Sequence, residues 1–486
     1  MLPPSANAMS RSILIPAVAL ALLTAISSAA EKLNLISIVT DDQAAWSVGC
    51  YGNKDSITPN MDRLAKEGVR FANAFAATPV CSPSRVTYLT GRWGTQMAVT
   101  DYLAPNEERA GLGLARGTIT WPKVLQQNGW TTALIGKWHL GQMPHNHPLK
   151  MGFDYFFGFL GGGNTPMNPT YDFPEGKKRL EGYGADLMTD DAIKWIGGQK
   201  NKPFVLCLHF REPHLAYGPV PPEDSEPFKN LDPKVPELKG LDLPQIKDWT
   251  RDYYAAIHSV DRNLGRLFAF LEKEGLWDKT IISFASDHGY NIGHHMIHTK
   301  GNGFWVAGGV PGPKRPNVWD TSLRIPWMIR WPGVVKAGTV IDHPVQNLDT
   351  FASILGMLGV PMPAEVRSDG MNFAPLLRGQ EVKWRDTLFA QYDLHNTGLS
   401  YLRMIRNDRW KFVRHYHENL MDELYDLRDD PGETRNLIRM RKPGKENVRA
   451  VVKELGEKLV NWQKSIDDPV LSEPRLMQYE VIEDKE

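Results

Sequence analysis

Cysteine is scarce, with three residues in 486. That excludes a disulfide framework as the source of stability, and a chain this long can bury a large core without one. Charge of one sign is lacking as well. Lys+Arg and Asp+Glu both number 56, so the formal net charge is zero. Nucleic acid or an anionic membrane as main partner would favour a basic excess, so neither is expected. An anionic substrate must then be held by a local cluster of cations. No Asn-x-Ser/Thr sequon occurs with x other than Pro. An animal secretory or lysosomal enzyme of this size usually carries several, which points to a bacterial product. Internal repeats and low-complexity tracts are missing too. The apolar run ILIPAVALALLTAI at 13–26 is too short to cross a bilayer comfortably, and stable membrane insertion is not expected.

That run sits in a segment with the marks of a signal peptide, residues 1–30. Arg11 precedes it, Ser28 and Ala30 are small residues before a cleavage point, and charged Glu31 and Lys32 follow. Met9 is an alternative start. No cysteine lies near the cleavage site, which argues against a lipid anchor. The expectation is an exported protein, periplasmic or secreted.

Beyond it, strands and helices alternate. LNLISIVTDD is a continuous apolar run ending in two acids, as in a strand buried on both faces. TPNMDRLAKEGVRF reads as a helix with Thr58 as N-cap, Pro59 at its first position and Gly68 as its stop. TTALIGKWHLG, KPFVLCLHF, TIISFASDHG and IPWMIRWPG read as strands. TWPKVLQQNGW and DYYAAIHSVDRNLGRLFAFLEKEGLWD read as helices. This alternation predicts an α/β fold with a doubly wound, mostly parallel sheet. A Pro-, Gly- and charge-rich stretch near 362–385 reads as a linker. Short strand-like pieces (TLFAQYD, YLRMIRND, RWKFVRHY, MDELYDL) and the helix NVRAVVKELGEKLVNWQKSI follow it. The expected organisation is a catalytic domain over 31–375 and a smaller α+β subdomain over 376–486.

Ligands of doubly wound sheets bind beyond the carboxyl ends of the strands. Asp41 and Asp42, Lys137 and His139, and Asp287 and His288 each follow an apolar run directly, so three runs deliver polar groups to one edge. Residues 79–92, PVCSPSRVTYLTGR, place Cys81 at the mouth of a predicted helix, with Pro83 in its first turn and Gly91 as its stop. Backbone N–H groups and the helix dipole favour an anion there, and Arg85 adds a fixed charge one turn on. Cys81 reads as a nucleophile, a ligand or filler. No Cys or His stands at zinc-ligand spacing beside it. A thiolate hydrolase with His139 or His214 as base is one option. Cys207, in FVLCLHF, reads as a buried inert thiol, and Cys50 as a loop thiol that is free or paired.

The run C-S-P-S-R followed by L-T-G-R resembles the signature of the type I, formylglycine-dependent sulfatases of the alkaline phosphatase superfamily. Other matches fall in that family's order: TDDQ, TPNMDRLAKEGVRFANAFA, GKWHLG, MGFDYFFGFLGG, EPH, SDHG, RIPWMIRWPG and ELYDLRDDPGETRNL. They cover nearly all of the chain after residue 30, and MGFDYFFGFLGGGNTP is most similar to the bacterial carbohydrate sulfatases.

The resemblance implies an alkaline-phosphatase-like fold and hydrolysis of sulfate esters of a sulfated sugar or glycan. It implies that a formylglycine-generating enzyme or equivalent maturase oxidises Cys81 to Cα-formylglycine. One Ca²⁺ would be held by Asp41, Asp42, Asp287, His288 and the residue-81 oxygen, carboxylates suiting a hard ion. His288 stands where many members have Asn, so it would ligate the ion or donate to the sulfate. One hydroxyl of the hydrated aldehyde would attack sulfur, Asp287 assisting. Arg85, Lys137, His214 and Lys300 would neutralise the developing charge, with His214 or Lys300 protonating the leaving oxygen. His139 would then deprotonate the second hydroxyl, expelling sulfate and restoring the aldehyde. His294, His295 and the insert GNGFWVAGGVPGPKRPNVWDTS either shape a substrate pocket or are surface loop. The alternative with the same fold is a formylglycine-dependent phosphonate monoester or phosphodiester hydrolase. From other classes come a non-catalytic glycan-binding relative and the plain thiol hydrolase.

Overall fold

Apolar runs without polar alternation form the centre of the sheet. The computed structural model describes Met1 and residues 32–199, 202–308, 312–417, 420–440 and 445–472. The expected signal segment lies, Met1 aside, outside the described residues. Ten strands make the main sheet: β1 (Asn34–Thr40), β2 (Val69–Phe71), β3 (Thr131–Lys137), β4 (Tyr155–Phe159), β5 (Thr170–Phe173), β6 (Gly176–Arg179), β7 (Phe204–His209), β8 (Thr280–Ser286), β9 (Trp327–Arg330) and β10 (Thr339–Ile341). Their spatial order is β10-β2-β9-β8-β1-β7-β3-β4-β5-β6. The block β8-β1-β7-β3-β4 is parallel, with Ile36 level with Leu206 on one side and Ile282 on the other. Antiparallel β9 and the β5–β6 hairpin extend it at either side.

Helices cover both faces. Ile36 and Ile38 point into the layer of α1 (Pro59–Glu67), α4 (Gly184–Gly197) and α5 (Leu243–Lys273), against Met61, Met188 and Ile257. Leu35 and Val39, one pleat away, face α2 (Cys81–Thr90), α3 (Trp121–Gln127) and α6 (Thr350–Leu358), against Val86, Val124 and Phe351. Each such buried side chain contributes about 1.5–3 kcal/mol relative to exposure, so the double-faced apolar run is the main fold determinant. A second, antiparallel sheet of β11 (Leu388–Leu394), β12 (Ser400–Arg406), β13 (Trp410–His415) and β14 (Glu423–Asp426) carries α7 (Lys445–Ser465). Leu455, Leu459 and Trp462 of α7 pack on Ile405, Phe412 and Leu424. Ala390 and Tyr392 of β11 pack with Phe75 and Val80, and Gln391 N donates to Ala77 O at 3.1 Å. The small sheet therefore braces the segment leading into Cys81. Residues from Leu33 on belong to one compact unit.

Two readings are refined. Thr58, Pro59 and Gly68 stand at the N-cap, first position and stop of α1, but the Thr58 side chain makes no capping hydrogen bond. Its Oγ1 accepts from Gly49 N at 2.9 Å, and α1 is capped by the Asp261 carboxylate of α5, which accepts from Asn60 N and Met61 N at 2.8–3.0 Å. A cap supplied from another helix leaves no local signal. The long helix also starts at Leu243 rather than Asp252, because the Asp242 carboxylate accepts from Gln245 N at 3.2 Å and Pro244 fits the first turn.

Candidate active site

β1, β3, β7 and β8 end side by side, and the residues after them meet the start of α2. Asp41 and Asp42 leave β1, Lys137 ends β3 and precedes His139, His209 ends β7, and Asp287 and His288 follow β8. Asp42, with φ of 71°, and His139, with φ of 59°, turn in the left-handed region as the chain leaves the strands. Cys81 is the first residue of α2 and 2 % exposed. Gly91 ends that helix at φ 64°, its N–H bonded to Thr87 O at 2.9 Å.

Around the Cys81 sulfur the structure brings acids and cations together in alternation. Asp41 Oδ1 lies 3.4 Å from Sγ, His288 Nε2 3.5 Å, and Lys300 Nζ 3.0 Å. Lys300 also donates to Asp42 Oδ1 at 2.5 Å, and His288 Nε2 is 3.2 Å from the same oxygen. Lys137 Nζ pairs with Asp41 Oδ2. Arg85 grips Asp287 Oδ2 through Nε at 3.1 Å and Nη2 at 3.0 Å, and its Nη1 donates to Lys137 O at 3.2 Å. His214, half-buried, places Nε2 3.9 Å from Asp42 Oδ2. His139 Nε2 lies 3.0 Å from Leu103 O, with its ring against Gly162; Nδ1 is buried without a hydrogen-bond partner among the described residues.

These charges tune one another. Burial works against the Asp41 carboxylate, but Lys137, His214, Lys300 and Arg85 outweigh it and hold its pKa well below the usual range. Asp42 is pushed up to about 7 by burial, with Asp41 adding to the rise against Lys300. For Cys81, burial and Asp41 raise the thiol pKa, and the ammonium groups of Lys137 and Lys300 bring it below its ordinary value. Burial and Lys137 keep His139 neutral. His288 is raised to about 9, Asp287 overcoming the effect of burial.

The cluster fits a hard divalent cation. Ligand atoms of Asp41, Cys81, Asp287 and His288 lie within 4.8 Å of one another, as do those of Asp41, Asp42, Cys81 and His214. Three buried carboxylates, of Asp41, Asp42 and Asp287, converge there. Oxygen donors in that number suit Ca²⁺ or Mg²⁺ better than a thiophilic metal.

Three supporting residues escaped the sequence reading. His209 lies 3.4 Å from Arg85 Nη1 at the end of a run whose cysteine drew the notice. Ser84, inside the signature itself, donates to Asp287 O. Asn347, which no local pattern marks, donates to Ser84 Oγ at 2.8 Å and accepts from Ala77 N at 2.9 Å. His295 stacks on Trp319, ring centroids 4.0 Å apart, and His294 lies 4.9 Å from Trp46; both are packed among aromatics. All three cysteines are free.

Comparison with known proteins agrees with this geometry. The sulfatase family model matches residues 33–360, and the model described as N-sulphoglucosamine sulphohydrolase, C-terminal, matches 314–465. The chain is 28% identical to the N-acetylglucosamine-6-O-sulfatase of Bacteroides thetaiotaomicron, over 94% of this chain and 91% of that one. A structure solved with its substrate D-glucosamine-2-N,6-O-disulfate superposes with a TM-score of 0.76 at 26% identity, covering 92% of this chain and all of that one. The phosphonate monoester hydrolase of Agrobacterium radiobacter shares the fold, with a TM-score of 0.71 at 22% identity, over 91% of this chain and 97% of that one. With a matching family model over two thirds of its length and a signature cysteine set among acids and cations, this chain belongs to the sulfatase family, the sulfuric ester hydrolases.

Proposed function

We propose that this chain is an exported enzyme that removes O-sulfate from a sulfated carbohydrate, with formylglycine made from Cys81 by a maturase and one Ca²⁺ in the site. The observation that carries the reading is the environment of residue 81: an anion-favouring helix start with Lys300 Nζ 3.0 Å and Asp41 Oδ1 3.4 Å away. The sugar is supported by the named activity of the Bacteroides relative and the bound sugar of the similar structure. Among the described residues no helix is long and apolar enough to cross a membrane.

Asp41, Asp42, Asp287 and His288 would hold the ion together with an oxygen on residue 81. The ion supplies positive charge to sulfuryl oxygens and favours an ionised hydroxyl on residue 81. The hydrated aldehyde has a second hydroxyl that a thiol lacks, which allows sulfate to be expelled without water attacking sulfur. The remaining roles fall to side chains in place. Lys300 and Lys137 present ammonium groups around residue 81, where a tetrahedral oxyanion gains charge. Arg85 fixes Asp287 and adds charge behind it. Neutral His139, its Nδ1 without a hydrogen-bond partner among the described residues, is the base for the second hydroxyl. His214, half-buried beside Asp42, or Lys300 would protonate the leaving sugar oxygen; burial and Lys300 lower the His214 pKa, so it would need the arriving sulfate's negative charge to take up that proton.

The test is a comparison of sulfate, phosphodiester and phosphonate esters at matched concentrations, on protein produced with a formylglycine-generating enzyme. Sulfate esters are expected to give the highest kcat/KM. A dominant phosphodiester or phosphonate rate would overturn the reading in favour of the Agrobacterium-type activity.

A further inference from the structure

The loop after Lys300 is clamped to the strand-to-helix segment that carries Cys81. Gly301 N donates to Pro79 O at 3.0 Å, and a Cβ at Gly301 would come within 2.4 Å of the Pro79 ring. The chain then doubles back: Arg315 N donates to Gly303 O at 2.7 Å, Asn317 N to Gly301 O at 2.9 Å, and Lys314 lies opposite Phe304. The Asn317 side chain donates to Lys300 O at 3.2 Å. These bonds tie the position of Lys314 to that of the active-site lysine.

Lys314 is half-buried, its ammonium 5.6 Å from the centroid of the Phe304 ring. Among the described residues no carboxylate lies within ion-pair distance of it. Asp101, the acid whose field reaches it, is committed to Tyr392 OH, His395 N and Asn396 N at 2.9–3.1 Å. Two buried cations of the C-terminal sheet, by contrast, are paired: Lys411 with Asp320 at 3.0 Å and Glu433 at 2.5 Å, and Arg406 with Asp320 at 3.2 Å. Burial, with Lys300 adding to it and Asp101 opposing, lowers the pKa of Lys314, as expected of a half-buried ammonium with a second cation nearby. A structural cation would be expected to have a partner. One without a carboxylate partner among the described residues, and close enough to feel Lys300, which itself lies 3.0 Å from the Cys81 sulfur, is suited to receive one from the substrate.

We propose that Lys314 is a specificity-determining residue that receives a second anionic group, sulfate or carboxylate, on a substrate whose scissile sulfate lies at residue 81. The inference rests on the carbohydrate sulfatase reading above. The test measures kcat/KM of wild type, Lys314→Met and Lys314→Arg. The substrates are a singly sulfated sugar, the same sugar with a second sulfate, and a sulfated disaccharide containing a uronate. Wild type should prefer one of the doubly anionic substrates, and which one identifies the group. Lys314→Met should lose about tenfold of that preference, through KM rather than kcat, and Lys314→Arg should restore most of it. KM of wild type for the preferred substrate should also rise more steeply with salt than for the singly sulfated one. A preference that survives Lys314→Met, or equal salt slopes, overturns the inference with the sulfatase reading intact. Absence of sulfate release from every sugar by wild type overturns the reading itself, and the inference with it.

Discussion

Replacing Arg85 by Met removes a guanidinium that is 2 % exposed, hydrogen-bonded through Nε to Asp287 Oδ2 and through Nη1 to Lys137 O, with Nη2 at ion-pair distance from the same carboxylate. Asp287 Oδ2 loses the Arg85 Nε hydrogen bond at 3.1 Å and the Nη2 ion pair at 3.0 Å, while Oδ1 keeps the Asp42 N–H at 3.2 Å and His288 Nε2 at 3.5 Å. Lys137 O keeps His209 Nδ1 as a neighbour at 3.3 Å, so its loss is minor. Stranding one member of a buried pair costs about 3–5 kcal/mol, and the surviving Asp42 bond and His288 neighbour place this case near 3 kcal/mol. Urea unfolding followed by tryptophan fluorescence, in chelator so that no bound ion contributes, reads this directly. Asp287→Asn removes the stranded charge, so the double variant should be more stable than additivity allows by about 2–3 kcal/mol. Activity should fall about 10²–10³-fold in the single variant, and Arg85→Lys should not restore it, because a point charge lacks the fork that grips one carboxylate oxygen from two nitrogens. A cost for Arg85→Met below about 1 kcal/mol, or strict additivity with Asp287→Asn, would refute the electrostatic argument.

Chelation should abolish turnover and lower the unfolding midpoint, and Ca²⁺ at about a hundred times its Kd should return about 2.7 kcal/mol. Indifference of both activity and stability to chelator would remove the ion from the account. His298, lowered to about 3 by burial, and His294, lowered to about 4 by burial, are neutral when folded. Unfolded, each binds a proton near 6.5, so their contribution to stability is complete above pH 6.5 and is lost as pH falls toward the folded values. Between pH 6.5 and 5 each should cost about 2 kcal/mol, and His298→Gln should reduce the slope of the urea midpoint against pH. Asn347→Ala should destabilise by about 1–3 kcal/mol, since it leaves the buried Ala77 N–H without its acceptor, and kcat should drop because Ser84 and the start of α2 lose their brace.

The parallel core was legible because its strands are buried on both faces, which forces unbroken apolar runs such as LNLISIVT, and polar residues at their ends mark the site edge. The four C-terminal strands were legible as short pieces for the same reason of local patterning. The strand β4 was read only as part of a motif. Its YFFGF alternates aromatics with glycine, and Gly158 is there because a Cβ would meet Gly136 O at 2.0 Å across the β3–β4 pair, a contact no local pattern reveals. The hairpin β5–β6 has one strand fully exposed, GKKR, with no apolar signal to read. The candidates read from strand ends and from the signature are brought together around Cys81, although Ser84 within the signature was passed over. His209, Asn347 and the Asp261 cap were missed, because each acts on a partner more than 100 residues away. Lys300 stood in a motif of uncertain spacing, and the structure places it against the sulfur, since Asn317 and Pro79 fold the long insert back onto the site.

The most direct test of the central claim is the mass of the tryptic peptide FANAFAATPVCSPSR, residues 71–85, from protein produced beside an active formylglycine-generating enzyme. The account requires loss of the sulfur of Cys81 and gain of an aldehyde, with sulfate release rising in proportion to the converted fraction. An intact thiol in a preparation that nevertheless releases sulfate at full rate would contradict it.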